Sequence, residues 1–226
     1  MRIVLLGPPG AGKGSLASLY QSRLRIPHVS TGEIFRQEIA RGTALGKRVQ
    51  RYVTGGRLVP DALVVQVMAA RLGRGIRGFV LDGFPRTAGQ AAGLDAVLTR
   101  RRTPLNAAVY LASPQSLLIK RLSGRLVCGR CGENYHVQRR PPKRLGRCDR
   151  CGGSLITRKD DQPATIRKRL AVDRTAARPL LAYYRRRSIL YPVDGTGRVE
   201  TVYQRTVRLF RRQGWLRGDD RAQEHR

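Results

Sequence analysis

Two sets of residues in this chain have types and spacing that could do chemistry. The first is Gly7-Pro-Pro-Gly-Ala-Gly-Lys13, which fits the G-x-x-x-x-G-K core of a phosphate-binding loop. Its glycines let the backbone curl so that successive N–H groups point at a phosphate. A following helix N-terminus adds a favourable dipole, and Lys13 brings positive charge to the outer phosphates. After Lys13 comes Gly14, where Ser or Thr is usual, and the hydroxyl arrives one place later at Ser15. Asp82 closes the apolar run Phe79-Val-Leu. A carboxylate ending a buried parallel strand would stand beside such a loop and hold Mg²⁺, directly or through water. The alternatives are an ordinary Gly-rich turn and a carboxylate capping the next turn. The second set is Cys128, Cys131, Cys148 and Cys151, two C-x₂-C pairs separated by 16 residues. That spacing suits a tetrahedral zinc site; redox dithiols are the alternative. Four thiolates leave no open position, so the zinc would be structural, and His136 would not be a ligand.

Elements to position these groups can be read from periodicity. Arg2 to Leu6 reads as a buried strand and 14–25 as a helix, with Leu16, Leu19 and Tyr20 on one face. Helices are expected over 31–41, 44–54, 61–72 (with Asp61 as a cap), 87–99 and 114–122. Further strands are expected at 79–81 and 107–111. Strands alternating with helices imply an α/β fold, a parallel sheet covered on both faces. Residues 124–161 break the pattern, being rich in Gly, Pro, Cys and Arg. They read as an insert with little core of its own. Helical patterning returns over 162–178 and 179–188, then a strand at 190–193, a helix over 199–215 and a frayed polar end, 218–226.

The chain has 226 residues, 41% of them hydrophobic, enough for one large domain or a core with an insert. No apolar run approaches the ~20 residues that span a bilayer, and the expected location is cytoplasmic. The formal charge is +30, and only six of the 45 basic residues are lysines. Such a field gathers polyanions, so weak non-specific RNA binding is an expectation, against the plainer reading of solvated arginines.

Taken in order, Gly7-Pro-Pro-Gly-Ala-Gly-Lys-Gly14, Ser30-Thr-Gly32, Leu81-Asp-Gly-Phe-Pro-Arg86, Thr157-Arg-Lys-Asp-Asp161, Arg167-Lys-Arg169 and Asp194-Gly-Thr196 resemble adenylate kinases from Met1 to about Trp215. The resemblance implies a P-loop nucleoside monophosphate kinase fold with a five-stranded parallel sheet. The core would be 1–29, 60–123 and 162–217. A helical AMP-binding arm would be 30–59, a zinc-stapled lid 124–161 and a flexible tail 218–226. It implies MgATP + AMP ⇌ 2 ADP in a monomer, with ATP, AMP and ADP as partners. By resemblance Lys13, Asp82, Arg86, Arg125, Arg158 and Arg169 carry the transfer. ATP would lie on Gly10, Ala11, Gly12, Lys13, Gly14, Ser15, Arg125, Asn134, Tyr135 and Gly197. AMP would lie on Thr31, Arg36, Arg57, Leu58, Val59, Gly83, Phe84, Pro85, Arg86, Gln90, Arg158 and Arg169. Lids carrying such cysteines occur in that family. The chain departs from the family at Ser15, where Thr is usual, and at Leu16, where Gln is usual.

Two other readings compete. One is a kinase for a different nucleoside monophosphate. The other is a basic zinc-ribbon protein that binds nucleic acid, against which stand the phosphate loop, Asp82 and an aromatic content of only 6%.

Overall fold

A computed structural model describes residues 1–73 and 78–216. The tail 218–226, and with it His225, lies outside the described residues. β1 (Arg2–Leu6) is the centre of a five-stranded parallel sheet. On one side it pairs with β3 (Phe79–Asp82), and beyond that lies β2 (His28–Ser30). On the other side are β4 (Ala107–Ala112) and β8 (Leu190–Asp194). Ile3, Val4, Leu81, Ala108 and Val109 are completely buried. A parallel sheet is covered on both faces, so its strands read as continuous apolar runs.

One face is covered by α1 (Lys13–Leu24), α6 (Gln115–Ser123) and α8 (Val199–Arg212), which bring Tyr20, Leu118, Leu122, Tyr203 and Phe210 into one cluster. The other is covered by α4 (Asp61–Leu72), α5 (Ala88–Arg100) and α7 (Pro163–Arg186), through Met68, Leu94, Leu98, Leu180 and Tyr184. α2 (Thr31–Ala40) and α3 (Ala44–Thr54) form a helical pair joined to that second cluster through Phe35 and Val49. Their N-caps are Ser30, accepting from the Glu33 N–H, and Thr43, accepting from the Gly46 N–H.

Three features differ from the sequence expectation. β2 is a fifth strand of only three half-buried residues, too short to show a period. The helix break expected at Pro179 does not occur, because α7 runs unbroken for 24 residues. A helix-interior proline costs about 3 kcal/mol. Burial of Leu180, Tyr183 and Tyr184 directly after it outweighs that, at about 1.5–3 kcal/mol for each large apolar side chain. The irregular insert contains a small antiparallel sheet, β5 (Arg125–Cys128) between β6 (Asn134–His136) and β7 (Leu155–Ile156). A 3₁₀ turn, Lys159–Asp161, then leads into α7.

Candidate functional site

The phosphate-binding loop leaves the carboxyl end of β1 and enters α1. Gly7, Gly10 and Gly12 have φ of 135°, 84° and 97°. A Cβ on Gly7 would stand 2.8 Å from the Leu111 carbonyl, and one on Gly10 2.9 Å from that of Leu118. Only glycine lets the loop pack this closely on β4 and α6. Lys13 folds back over the loop, its Nζ donating to the Gly7 and Pro8 carbonyls at 2.5 and 3.0 Å. Burial lowers its pKa to about 8, against the opposing pull of Asp82 and Asp173.

Parallel pairing places Asp82 opposite Leu5, beside the loop. Burial raises the Asp82 pKa, but His28, Lys13 and Arg86 outweigh it and hold the carboxyl below its ordinary value. The His28 ring has its Nε2 3.7 Å from Asp82 Oδ2. A Cβ on Gly14 would come within 3.2 Å of that same oxygen, so the missing side chain at Gly14 keeps the space beside Asp82 open. Ser15 is half-buried on the first turn of α1, and Leu16 is wholly buried in the core.

Four arginines and two carboxylates meet where 124–161 joins α7. Arg125 grips Asp161 with two bonds of 2.7 and 2.5 Å. Arg169 reaches Asp161 Oδ1 at 2.9 Å, and the Asp160 carbonyl and carboxylate at 3.0 Å each. Asp161 is 4% exposed. Burial raises the Asp160 pKa, but Arg169, Arg158, Arg125 and Arg36 together bring it below normal. Arg158 donates to Asn134 Oδ1 at 3.3 Å, and its buried Nε has no partner. Burial first, then Arg125 and Arg36, depress its pKa to about 9. Cations crowded until one loses proton affinity, with an unsatisfied N–H among them, form a site for a multiply charged anion.

Beside this cluster is a cleft lined by Thr31, Arg36, Arg57, Leu58, Val59, Gly83, Arg86, Gln90 and Arg169. Thr31 is buried and donates to the Gly83 carbonyl at 2.9 Å. Gln90 is also buried, and both ends of its amide are engaged. Its Oε1 accepts from the Arg86 N–H at 2.8 Å, and its Nε2 donates to Asp61 at 2.9 Å. Asp61 thus holds Gln90 in place rather than capping α4. Phe84 and Pro85 are buried behind the cleft and do not line it. The cleft is only about 80 Å³, against the ~300 Å³ or more usual for a small-molecule site. Its walls are close: a Cβ on Gly56 would meet Arg169 at 3.0 Å.

The four cysteines come together with all their sulfurs within 4.8 Å of one another. Cys128 and Cys151 are 3.4 Å apart, and Cys131 and Cys148 3.6 Å. A tetrahedron of Zn–S bonds near 2.3 Å has edges of about 3.8 Å, so the donor set fits a structural zinc ion. Gly132 and Gly152 take φ of 74° and 70° at the two turns, and a Cβ on Gly153 would sit 3.0 Å from Cys128 Sγ. His136 is not a ligand. Its Nδ1 accepts from the Gln138 and Arg139 N–H groups, and its Nε2 stands 3.2 Å from the Lys120 carbonyl.

Tyr135 differs from expectation. Its ring is buried against the cysteines, with Oη 3.5 Å from Cys148 Sγ and accepting from the Asp149 N–H at 2.8 Å. The side chain thus belongs to the interior of the small sheet. Arg121 was missed. It donates to the Ala11, Gly195 and Gly197 carbonyls at 3.2, 3.0 and 3.0 Å, tying the phosphate loop to the turn after β8. Nothing in the spacing around Arg121 marks it among so many arginines.

The adenylate kinase family profile matches residues 5–189. This chain belongs to the adenylate kinase family. It is 48% identical over 204 residues to the adenylate kinase of Moorella thermoacetica, covering 89% of this chain and 94% of the relative. The Clostridium tetani enzyme is 45% identical over 206 residues, 90% of this chain and 95% of the relative. That of Clostridium perfringens is 41% identical over 212 residues, 93% and 98% of the two chains. As a member of the family the chain is a nucleoside monophosphate kinase, and its reaction is phosphoryl transfer between ATP and AMP. That sets the zinc-ribbon reading aside as the main function. Among the described residues no helix is long and apolar enough to cross a membrane.

Proposed function

We propose that the two nucleotides meet end to end at Lys13 and the arginine cluster. What supports this is the excess of cations there. Arg36, Arg125, Arg158 and Arg169 converge on Asp160 and Asp161, four cations on two carboxylates, leaving charge for phosphate oxygens to take up. Phosphoryl transfer asks little covalent work of a protein, so positioning and charge stabilisation carry the catalysis. ATP would lie on Gly10 to Ser15, with Arg125, Asn134 and Gly197 above it, Tyr135 contributing backbone alone, and Arg121 added as the residue that fixes the Gly197 turn. AMP would enter the cleft of Thr31, Arg36, Arg57, Leu58, Val59 and Gln90, with Gly83, Phe84 and Pro85 shaping its wall and Arg86 on its phosphate. Asp82 and Ser15 would hold Mg²⁺ arriving with ATP; when bound, it supplies charge to the β- and γ-phosphate oxygens.

The divisions follow the same reading: core 1–29, 60–123 and 162–217, AMP arm 30–59, lid 124–161. A cleft of about 80 Å³ is too small for a nucleotide. Arm and lid would therefore part to admit AMP and close on it. A monomer in the cytoplasm is part of the proposal. The decisive experiment is a coupled assay of ADP formation from ATP plus AMP, with a no-AMP control, repeated with GMP, CMP and UMP. AMP should give the highest kcat/KM, because a mismatched base leaves buried polar groups unpaired. Equal or better use of another acceptor would refute the assignment of Thr31 and Gln90.

A second, lesser activity is supported by the formal charge of +30: weak, salt-sensitive binding of RNA through counterion release. No retention on RNA at low salt would end it.

A further inference from the structure

The arginine excess is the one feature of the sequence that phosphoryl transfer leaves unused, and α7 orders part of it. Arg167, Arg174, Arg178 and Arg185 are spaced 7, 4 and 7 residues apart, which puts them on one side of a helix. All four are exposed, and among the described residues none has an ion-pair or side-chain hydrogen-bond partner. At 1.5 Å per residue the row is about 27 Å long. Together with α6 and the end of β4 it lines a second cleft, of about 430 Å³. Tyr110, Leu118, Leu170 and Leu181 give this cleft an apolar floor. The buried Ser113 hydroxyl there has no partner. Apart from Asp173, none of its lining residues is shared with the acceptor cleft.

We propose that this cleft binds single-stranded RNA, the four arginines taking backbone phosphates while bases rest on the apolar floor. The proposal rests on the RNA reading above and gives it a location. Each guanidinium presents a fork suited to a phosphate, and none must first give up a carboxylate. A line of charge on one helix matches one strand. Only a single strand can turn base faces onto Tyr110 and the leucines. Asp173, the only carboxylate lining the cleft among the described residues, sits in the wall shared with the acceptor site and keeps phosphates from that corner.

The test is fluorescence anisotropy of a labelled oligouridylate with the full chain. Four neutralised phosphates predict a slope near −0.7 per phosphate in log K against log salt, about −3 in all. That is roughly a 50-fold loss between 50 and 200 mM salt. Arg174→Glu/Arg178→Glu/Arg185→Glu should weaken binding at least tenfold and flatten the slope to about −0.7. The control Arg208→Glu/Arg211→Glu/Arg212→Glu changes net charge equally on the exposed side of α8, and should change affinity less than about threefold. Both sets should keep adenylate kinase activity. If charge reversal unfolds the chain, Arg174→Gln/Arg178→Gln/Arg185→Gln gives the same comparison. Equal losses in the two sets overturn the site but leave diffuse RNA binding. No binding by the unmodified chain overturns both. Tighter binding of duplex RNA overturns the single-strand assignment.

Discussion

The five-stranded core and the segment 124–161 are held together by different physics. The three central core strands, β1, β3 and β4, are nearly free of solvent and lie between two helical layers built on Tyr20, Phe210, Met68 and Tyr184. The smaller sheet has an interior of Cys128, Tyr135 and Cys148, while Val137, Ile156 and Leu145 are 54%, 51% and 96% exposed. Where apolar burial is that small, four thiolates around a metal can replace it, and binding energy becomes folding energy. Damage to the two regions should therefore look different. Loss of a core phosphate ligand should lower rate without lowering stability, and loss of a lid residue should lower both.

Lys13→Met should show the largest effect, at least ~10³-fold in kcat with the melting temperature not lowered, since the lost charge acts on phosphate in a dry site and its burial itself costs stability. Near-normal turnover in the folded variant would remove the loop from the mechanism. Asp161→Asn comes next. It takes the shared carboxylate from Arg125 and Arg169, and breaking a buried pair costs about 3 kcal/mol or more. Calorimetry should find a lower Tm and kinetics about a 10²-fold loss of kcat, because both arginines lose their anchor. An unchanged Tm would show that the pair does not hold the lid to α7.

Cys148→Ser, or removal of zinc by a strong chelator, should lower activity some tenfold or more, since Arg125 and Arg158 both lie in the unstapled segment. ATP should still bind the core. Metal content and a melting curve with and without chelator decide this. A metal-free native chain with an unchanged melt would refute it, as would a disulfide.

The smallest effect is a pH dependence. The Lys13 pKa is lowered to about 8 by burial, so the free enzyme loses that charge as pH rises through 8. kcat/KM for ATP should then fall by up to about tenfold per unit. The limb in kcat should lie higher, since bound phosphates retain the proton. Stability runs the other way. Between about 8 and 10.5 the folded chain binds fewer protons at this group than the unfolded one, so its contribution rises with pH. Matching limbs in kcat/KM and kcat would exclude Lys13 as the group.

Much of this was legible in the sequence because the chemistry demands particular residue types. Gly7, Gly10 and Gly12 take conformations that side chains resist, and the cysteine spacing matches the cluster that forms. Asp82 was legible because a strand register fixes its neighbour. What escaped depends on distant partners. The engagement of Arg121 spans 110 residues to Ala11, and β2 exists only by pairing with β3. Tyr135 turned inward because its hydroxyl finds Cys148 and the Asp149 N–H, a choice its position on β6 does not announce. The break expected at Pro179 failed because local preference lost to burial of the residues after it.

That unbroken helix also makes α7 a single beam across both core clusters, with Ile166 and Leu170 packed in the first and Leu180 and Tyr184 in the second. Its far end is clamped, with Leu180 and Tyr184 in the core and Asp95 accepting from Tyr183 Oη at 2.7 Å and Arg187 Nε at 2.9 Å. Its near end carries Arg169 and adjoins Asp160 and Asp161, on which the lid is mounted. From Pro179 to its tip at Pro163 the beam is about 24 Å long, and about 5° of flexure at Pro179 would carry the tip, with Ile166 and Leu170, about 2 Å. Pro179, which cannot donate to the Thr175 carbonyl, places the softest point of the beam just before the clamp, where a small bend gives the longest stroke.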